Sequence, residues 1–150
     1  MIYWFTGQPS HGKTVIAELL RERMIYEGIS DDEIFRIDGD EMRELFTNKD
    51  YSMGGRVKNI DAAQKIAHYL HNKGKNVIVS LVSPYLDQRE EFKAIIGDAM
   101  VEFYVHTSEP RERDHFAVKG YQPPAENFVD IDTTEDSPEE SLTKVLEWVK

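Results

Sequence analysis

The sequence predicts an α/β domain in which about five parallel strands form a sheet between two layers of helices. Short apolar runs alternate along the chain with segments whose apolar residues have helical spacing. Two of these runs, residues 76–82 and 100–105, are almost continuously apolar, which is typical of parallel strands buried on both faces. With 150 residues, the chain is long enough for one such domain with a substantial core.

The predicted elements follow one another in a regular order. Strands are expected at residues 2–6, 33–37, 76–82, 100–105 and 127–131. A first helix follows residue 14, and a second helix is expected to begin near Asp40. A third helix is indicated by apolar residues that share one face: Val57, Ile60, Ala63, Ile66, Ala67 and Leu70. The last two helices are predicted at residues 86–96 and 142–149.

Composition argues against several classes of protein. The net charge is −10, from 18 basic and 28 acidic residues, whereas a general nucleic-acid surface needs a basic face. The chain has no cysteine, which excludes disulfides and thiolate metal sites and is typical of a reducing compartment. No basic leader precedes the first strand, and no apolar run approaches the ~20 residues of a membrane span. We therefore expect a cytoplasmic protein that binds neither nucleic acid nor membranes.

The most informative stretch is G-Q-P-S-H-G-K-T at residues 7–14, which matches the phosphate-binding pattern G-x-x-x-x-G-K-[ST]. A predicted strand precedes it and a predicted helix follows it, as this loop requires. Lys13 is expected to reach the β and γ phosphates of ATP, and Thr14 to bind Mg²⁺. The motif specifies the fold further, as a three-layer sandwich like those of P-loop nucleoside-triphosphate hydrolases. The residues expected to bind ATP are Gly7, Ser10, His11, Gly12, Lys13, Thr14 and Val15.

A second polar group, D-G-D-E-M-R, follows the second predicted strand. If a helix starts near Asp40, this residue can serve as its N-cap, and Arg43 lies one turn further on the same side, where it could grip an anionic acceptor. Beside a phosphate-binding loop, a carboxylate is also suited to hold a metal ion or to orient an acceptor hydroxyl. The third predicted strand contains no acid. Asp38 and Asp40 are therefore the candidates for catalysis, with Lys13, and for the metal, with Thr14.

Two further groups lie where predicted strands end or helices begin. Arg56 and Asn59 open the helix after the loop at residues 51–55, and a solvated helix start is the alternative interpretation. Ser83-Pro84-Tyr85 follows the third strand, and a simple strand-ending turn is the alternative there. Ligands in parallel α/β folds bind beyond the carboxyl ends of the strands, and these groups are predicted to lie at that edge.

Taken together, these elements resemble the adenylylsulfate kinases (APS kinases). The similar elements, in chain order, are G-Q-P-S-H-G-K-T, D-G-D-x-x-R, R-x-x-N, S-P-Y with Arg89, Arg113-Asp114 and the I-D-T end of the last strand. They run over nearly the whole chain. The resemblance implies a kinase that moves the γ-phosphate of ATP to the 3′-hydroxyl of adenylyl sulfate, making the activated sulfate donor PAPS.

The resemblance also implies roles for individual residues. Lys13 and Thr14 would hold ATP and Mg²⁺, Arg113 would join the ATP site, and Asp38 and Asp40 would serve the metal and the acceptor hydroxyl. The residues implied for the acceptor nucleotide are Arg43, Tyr51, Arg56, Asn59, Val82, Ser83 and Lys119. Tyr51 takes the place of an aromatic residue that stacks on adenine. A homodimer is a possible assembly.

The chain departs from the family pattern in its lid. After Arg113-Asp114 the family usually has a long segment with lysines, an arginine and a second stacking phenylalanine. Here only six residues separate this pair from Tyr121. Lys119 would then stand in for a lid lysine, and Phe116 or Tyr121 for the aromatic residue. Closure over the acceptor is expected to be less complete than in relatives with a full lid.

Other functions of such a loop remain as alternatives. A GTPase would need the guanine-binding pattern N-K-x-D. This chain has T-N-K-D at residues 47–50, where no residue separates the lysine from the aspartate, and this position is too early in the chain for that motif. A kinase of the same fold with another nucleotide or a sugar-like acceptor is the closer alternative, and the short lid favours it. A non-catalytic nucleotide-binding module is disfavoured by residues that occur together here: Lys13, Thr14, Asp38, Asp40 and Arg43.

Overall fold

The computed structural model describes residues 1–109 and 117–150. In this part of the chain the strands are β1 (Ile2–Thr6), β2 (Ile34–Asp38), β3 (Asn76–Ser80), β4 (Met100–His106) and β5 (Val129–Asp132). They form one sheet in the order β2-β3-β1-β4-β5, and every pairing is parallel. The predicted parallel sheet of about five strands is therefore confirmed.

Helices cover both faces of this sheet. In the described residues they are α1 (Lys13–Tyr26), α2 (Gly39–Leu45), α3 (Met53–Asn72), α4 (Leu86–Ile96) and α5 (Pro138–Leu146), with short 3₁₀ turns at Asp31–Glu33 and Gly97–Ala99. Along β1, Tyr3 and Phe5 pack with α1 and α5 on one face, whereas Ile2 and Trp4 pack with α3 and α4 on the other. Because successive strand residues point to opposite faces, β1 alone contributes to two hydrophobic cores. The result is the predicted three-layer sandwich.

The strand order determines which loops meet. β1 lies between β3 and β4, with Phe5 opposite Ser80 and Thr6 opposite Tyr104. On the far side of β3, Asp38 at the end of β2 is also opposite Ser80. The loop that follows β1 therefore opens beside the ends of β2 and β3, although β2 and β1 are not neighbours in the sheet.

The start of α2 differs from the predicted start. The N-cap is Asp38, whose carboxylate accepts a hydrogen bond from the backbone N–H of Asp40 at 3.2 Å. The alternative in which Asp40 caps this helix is therefore wrong. The strand runs directly into the helix, so the cap is the last strand residue.

The start of α3 also lies earlier than predicted. Its N-cap is Ser52, whose hydroxyl accepts from the backbone N–H of Gly55 at 3.3 Å, so the two glycines belong to the first helical turn and not to a loop. A Cβ atom at Gly55 would lie 2.1 Å from the carbonyl oxygen of Asp50. Glycine is needed here because the helix start packs directly on the preceding backbone. Among the described helices, none is long and apolar enough to cross a membrane.

Candidate active site

The loop between β1 and α1 has the geometry of a phosphate cradle. Gly12 is the N-cap of α1 with a φ of 107°, and it supplies no side-chain cap to the N–H groups of the first turn. Gly7 has a φ of 152°, and a Cβ atom there would lie 2.1 Å from the carbonyl oxygen of Val105. Both positions therefore require glycine. The start of this 14-residue helix, which has no side-chain cap, suits an anionic phosphate.

Other predicted ATP-binding residues lie in or beside this loop. Ser10 has a φ of 62°, an uncommon conformation for a residue with a side chain. The carbonyl oxygen of His11 accepts a hydrogen bond from the Thr133 hydroxyl at 3.0 Å, which ties the loop to the end of β5. Val15 is half exposed in the first turn of α1. Arg113 lies outside the described residues.

Lys13 and Thr14 point from the first turn of α1 into this region. Lys13 is 7% exposed, and its ammonium group donates to the carbonyl oxygen of Gln8, across the loop, at 2.7 Å. The Thr14 hydroxyl donates to Asp38 Oδ1 at 3.3 Å. The structure thus brings together a buried cation, a hydroxyl and a carboxylate that the sequence separates by 24 residues.

Asp38 and Asp40 have different surroundings. Asp38 Oδ1 accepts from both the Thr14 hydroxyl and the Ser80 hydroxyl, the latter at 3.1 Å, while Oδ2 caps α2. Ser80 is held in turn by the Arg36 guanidinium at 3.0 Å. Asp40 is exposed and lines the neighbouring cavity. Asp38 is therefore a fixed carboxylate beside the donor loop, whereas Asp40 is turned toward the space for an acceptor.

The cavity beside Asp40 has a volume of about 660 Å³, within the usual range of small-molecule sites. Six of the seven residues predicted to bind the acceptor line it: Arg43, Tyr51, Arg56, Asn59, Val82 and Ser83. Pro84, beside Ser83, also lines the cavity, as expected for the segment around Ser83. Sequence reasoning did not name the other lining residues: Pro9, Gly39, Ile60, Leu81, Ala117 and Val118. All of these are apolar or glycine, and such residues carry no chemical signal in a sequence. The seventh predicted residue, Lys119, is exposed and directly follows Val118, a lining residue, without lining the cavity itself.

Arg43 and Tyr51 form one unit on this wall. The Arg43 guanidinium lies 3.9 Å from the centre of the Tyr51 ring, which is 64% exposed. Arg43 Nη1 donates to the carbonyl oxygen of Asn48 at 3.1 Å and to that of Asp50 at 2.9 Å. The arginine therefore shapes the loop that carries the aromatic ring, in addition to adding positive charge to the cavity.

Asn59 places an unpaired buried acceptor at the cavity wall. It is 6% exposed, and its Oδ1 has no hydrogen-bond partner among the described residues. A buried acceptor left unpaired costs about 1–3 kcal/mol. Oδ1 is closed to solvent in this structure, so a ligand N–H or O–H donor at this wall would pair with it after the side chain turns toward the cavity.

Ser83 is a buried residue of the cavity wall. It is 2% exposed, and its hydroxyl accepts from Trp4 Nε1 at 3.0 Å and donates to the Thr6 hydroxyl at 3.2 Å. Its φ of 39° lies in the left-handed region. The hydroxyl is thus bonded within the protein interior, although Ser83 lines the cavity, and its contact with substrate remains a prediction.

A buried ion pair supports the turn at Ser83. Of its two members, the sequence analysis named Arg89 but not Glu102. Arg89, 1% exposed, donates to Glu102 at 2.9 Å, to the carbonyl oxygen of Ser83 at 2.6 Å and to the carbonyl oxygen of Gln122. Lys93 Nζ lies 2.7 Å from the second oxygen of Glu102. Glu102 is the one acid in the apolar run of β4. An acid in a buried strand needs a charged partner, and this could have pointed to the ion pair.

Tyr121 is not a substitute for a lid aromatic residue. Its hydroxyl is 2.7 Å from the Thr6 hydroxyl, and its ring stacks on Tyr104 with centroids 6.0 Å apart. The Arg89 guanidinium lies 5.5 Å from the ring centre. Burial raises the pKa of Tyr121 to about 12. The ring is packed beside the strand ends, so this alternative is wrong, while Phe116, the other candidate, lies outside the described residues.

Comparison with known proteins places the chain among kinases of one family. The family model described as adenylylsulphate kinase matches residues 1–145. The adenylyl-sulfate kinase of Staphylococcus epidermidis is 27% identical over an alignment of 169 residues that covers 99% of this chain and 83% of that protein. The corresponding kinase of Thermodesulfovibrio yellowstonii is 28% identical with the same coverage, 99% and 83%. The structure of the Mycobacterium tuberculosis APS kinase in complex with AMPPNP and APS superposes with a TM-score of 0.83 at 25% identity, covering 98% of this chain and 95% of that chain.

Proposed function

We propose that this chain, which belongs to the adenylylsulphate kinase family, transfers the γ-phosphate of ATP to the 3′-hydroxyl of adenylyl sulfate and so produces PAPS. One observation carries the proposal beyond family membership. The phosphate cradle and the acceptor cavity share a wall, because Pro9 of the loop and Asp40 beyond β2 both line the cavity. A phosphoryl donor in the cradle and a hydroxyl in the cavity would therefore meet beside Asp40.

The donor side needs positive charge and a metal ion. Lys13 would move from the carbonyl oxygen of Gln8 to the β and γ phosphates. Thr14 and Asp38 would hold Mg²⁺, and their oxygens, 3.3 Å apart, fit adjacent positions around an ion whose bonds of about 2.1 Å put neighbouring ligands about 3 Å apart. When bound, Mg²⁺ neutralises charge on the β and γ phosphate oxygens.

The acceptor side matches an anionic nucleotide. Arg43 and Arg56 would bind its charged groups, and the exposed ring of Tyr51 would stack on its base. The unpaired Oδ1 of Asn59 would accept from an N–H of that base. Asp40 would orient the 3′-hydroxyl. As the bond from this oxygen to the γ-phosphorus forms and the bond to ADP breaks, the hydroxyl proton passes to the Asp40 carboxylate.

A panel of acceptors tests this proposal. The purified protein is incubated with ATP, Mg²⁺ and, in separate reactions, adenylyl sulfate, AMP or gluconate, and the products are separated by ion-pair chromatography. We expect PAPS from adenylyl sulfate at a rate far above that of the other acceptors. Phosphorylation of AMP or gluconate without PAPS would instead establish a kinase with another acceptor, and no transfer at all would favour a nucleotide-binding module.

A further inference from the structure

Gln8, in the second position of the phosphate-binding loop, makes a paired contact that the proposed reaction does not use. Its Nε2 donates to the carbonyl oxygen of Val118 at 2.9 Å, and its Oε1 accepts from the backbone N–H of Val118 at 2.8 Å. The side-chain amide thus pairs with one residue of backbone as a neighbouring strand would. The carbonyl oxygen of Gln8 itself accepts from Lys13.

The segment that Gln8 holds forms part of the acceptor cavity. We call residues 117–122 the wall segment, since Ala117 and Val118 line the cavity. Its far end is also anchored. The backbone N–H of Gln122 donates to the carbonyl oxygen of Pro84 at 2.9 Å, and Gln122 Oε1 accepts from the backbone N–H of Leu86 at 2.8 Å.

The two anchors have different origins. Gln122 attaches the wall segment to the turn after β3, which already belongs to the acceptor side. Gln8 attaches it to the donor loop, 110 residues earlier in the chain. Val118 is 9% exposed, so loss of the Gln8 amide would leave its N–H and carbonyl group poorly solvated and without these partners.

From these contacts we propose that Gln8 is a positioning residue whose side-chain amide holds the wall segment against the phosphate-binding loop and so completes the acceptor cavity. The inference rests on the proposed function for the identity of the acceptor. Held in this way, the wall segment can cover the acceptor although it has few residues.

The test compares three variants. Gln8→Leu keeps the size of the side chain and loses both hydrogen bonds, and Gln8→Glu keeps the shape but loses the donor to the Val118 carbonyl group. Gln64→Leu is the matched control, because Gln64 is 8% exposed and donates to the carbonyl oxygen of Gln88 at 3.1 Å, away from the cavity lining.

We expect Gln8→Leu to raise the KM for adenylyl sulfate roughly tenfold, the effect of losing two hydrogen bonds, while kcat and the KM for ATP stay within about twofold. Gln8→Glu should change the acceptor KM in the same direction, and Gln64→Leu should not change it. Hydrogen exchange adds a readout that needs no catalysis. The Val118 amide should exchange faster in Gln8→Leu, which removes its acceptor, and at the wild-type rate in Gln64→Leu.

The two readouts separate failure of the inference from failure of the proposed function. If wild-type protein makes no PAPS, the proposed function is wrong, and exchange at Val118 still decides whether Gln8 holds the wall segment. A wild-type acceptor KM in Gln8→Leu would overturn the positioning role, as would unchanged exchange at Val118. Equal rises in the KM for ATP and for adenylyl sulfate would also overturn it, because they would indicate general disruption of the loop.

Discussion

At the scale of single residues, the surroundings of Asp38 and Asp40 separate two carboxylates that the sequence presents as equivalent. Asp38 is bonded to Thr14, Ser80 and the start of α2, whereas Asp40 lines the acceptor cavity. A carboxylate with three hydrogen-bond donors around it suits a fixed role beside the metal, and an exposed one suits proton transfer.

These surroundings predict different results for substitution by asparagine. Asp40→Asn should lower kcat by about 10²-fold or more and leave the unfolding free energy unchanged, because Asp40 does not cap α2. Asp38→Asn should keep the cap and lose the metal contact, while Asp38→Ala should in addition lose about 1 kcal/mol of stability. Steady-state kinetics and urea unfolding measure both effects. Full activity of Asp40→Asn would remove this residue from the reaction.

Lys13 gives the direct test of the donor site. Lys13→Ala should lower kcat by about 10²- to 10³-fold, equivalent to about 3–4 kcal/mol, through loss of a charge aimed at the transferring phosphoryl group. Circular dichroism serves as the control for folding, since this buried side chain also donates to Gln8. Turnover close to that of the wild type would contradict the assignment of the loop.

Substitution of Asn59 should affect the stability of the protein and its binding of the acceptor differently. Asn59→Leu keeps the branching of the side chain and removes the unpaired Oδ1, so the unfolding free energy should stay the same or rise by up to about 1–3 kcal/mol. The KM for adenylyl sulfate should rise about tenfold, because the partner of a buried ligand N–H is lost. A destabilised variant with an unchanged acceptor KM would instead make Asn59 a structural residue.

At the scale of elements, the turn after β3 depends on a buried ion pair from α4 and β4. Arg89 and Glu102 are both fully buried, and Arg89 also binds the carbonyl oxygens of Ser83 and Gln122. The packing of α4 on the sheet therefore positions the turn and the wall segment together. A buried pair of this kind is sensitive to the loss of one partner, since the remaining charge has no solvent to compensate it.

We accordingly predict that Glu102→Gln lowers the unfolding free energy by about 3–5 kcal/mol. Glu90→Gln is the matched control, because Glu90 pairs with Lys93 at 3.1 Å at a partly exposed position, where a pair contributes at most about 1 kcal/mol. Urea unfolding of the two variants measures the difference. Equal stabilities would show that the Arg89 contacts to backbone carbonyl groups, and not its charge partner, hold this region.

At the scale of the whole molecule, an acidic protein must bind two anionic substrates. The net charge is −10, so attraction comes from a few cations gathered at the carboxyl ends of the strands. Lys119, exposed next to the cavity wall, is the candidate cation of the short segment that stands in place of a lid. With few residues to exclude water, some hydrolysis of ATP without transfer is expected.

Lys119→Ala should therefore raise the KM for adenylyl sulfate by about twofold to threefold and increase hydrolysis of ATP in the absence of acceptor. Lys65→Ala is a suitable control, because Lys65 is 77% exposed on α3 and pairs with Asp61. Coupled assays of ADP and PAPS measure both rates. Full coupling of hydrolysis to transfer in Lys119→Ala would assign the cover to other residues.

Much of the molecule could be predicted from local patterns. Apolar runs predict strands because a buried strand needs apolar residues on both faces, and the phosphate-binding loop is recognisable because two of its glycines are required by backbone geometry. The element starts were less predictable. Capping depends on where the preceding strand or loop stops, so Asp38 and Ser52 were not identified as caps of α2 and α3.

The sequence by itself determined the fold class, the family and the residue types of the donor site, because each is encoded in a short window of chain. Only the tertiary structure decided which residues meet. Thr14 bonds to Asp38 because β2 and β1 flank the same strand, Arg89 pairs with Glu102 because α4 packs on β4, and Gln8 holds Val118 across 110 residues. Such contacts join distant segments through strand order and packing. The local spacing of residue types predicts neither the strand order nor the packing.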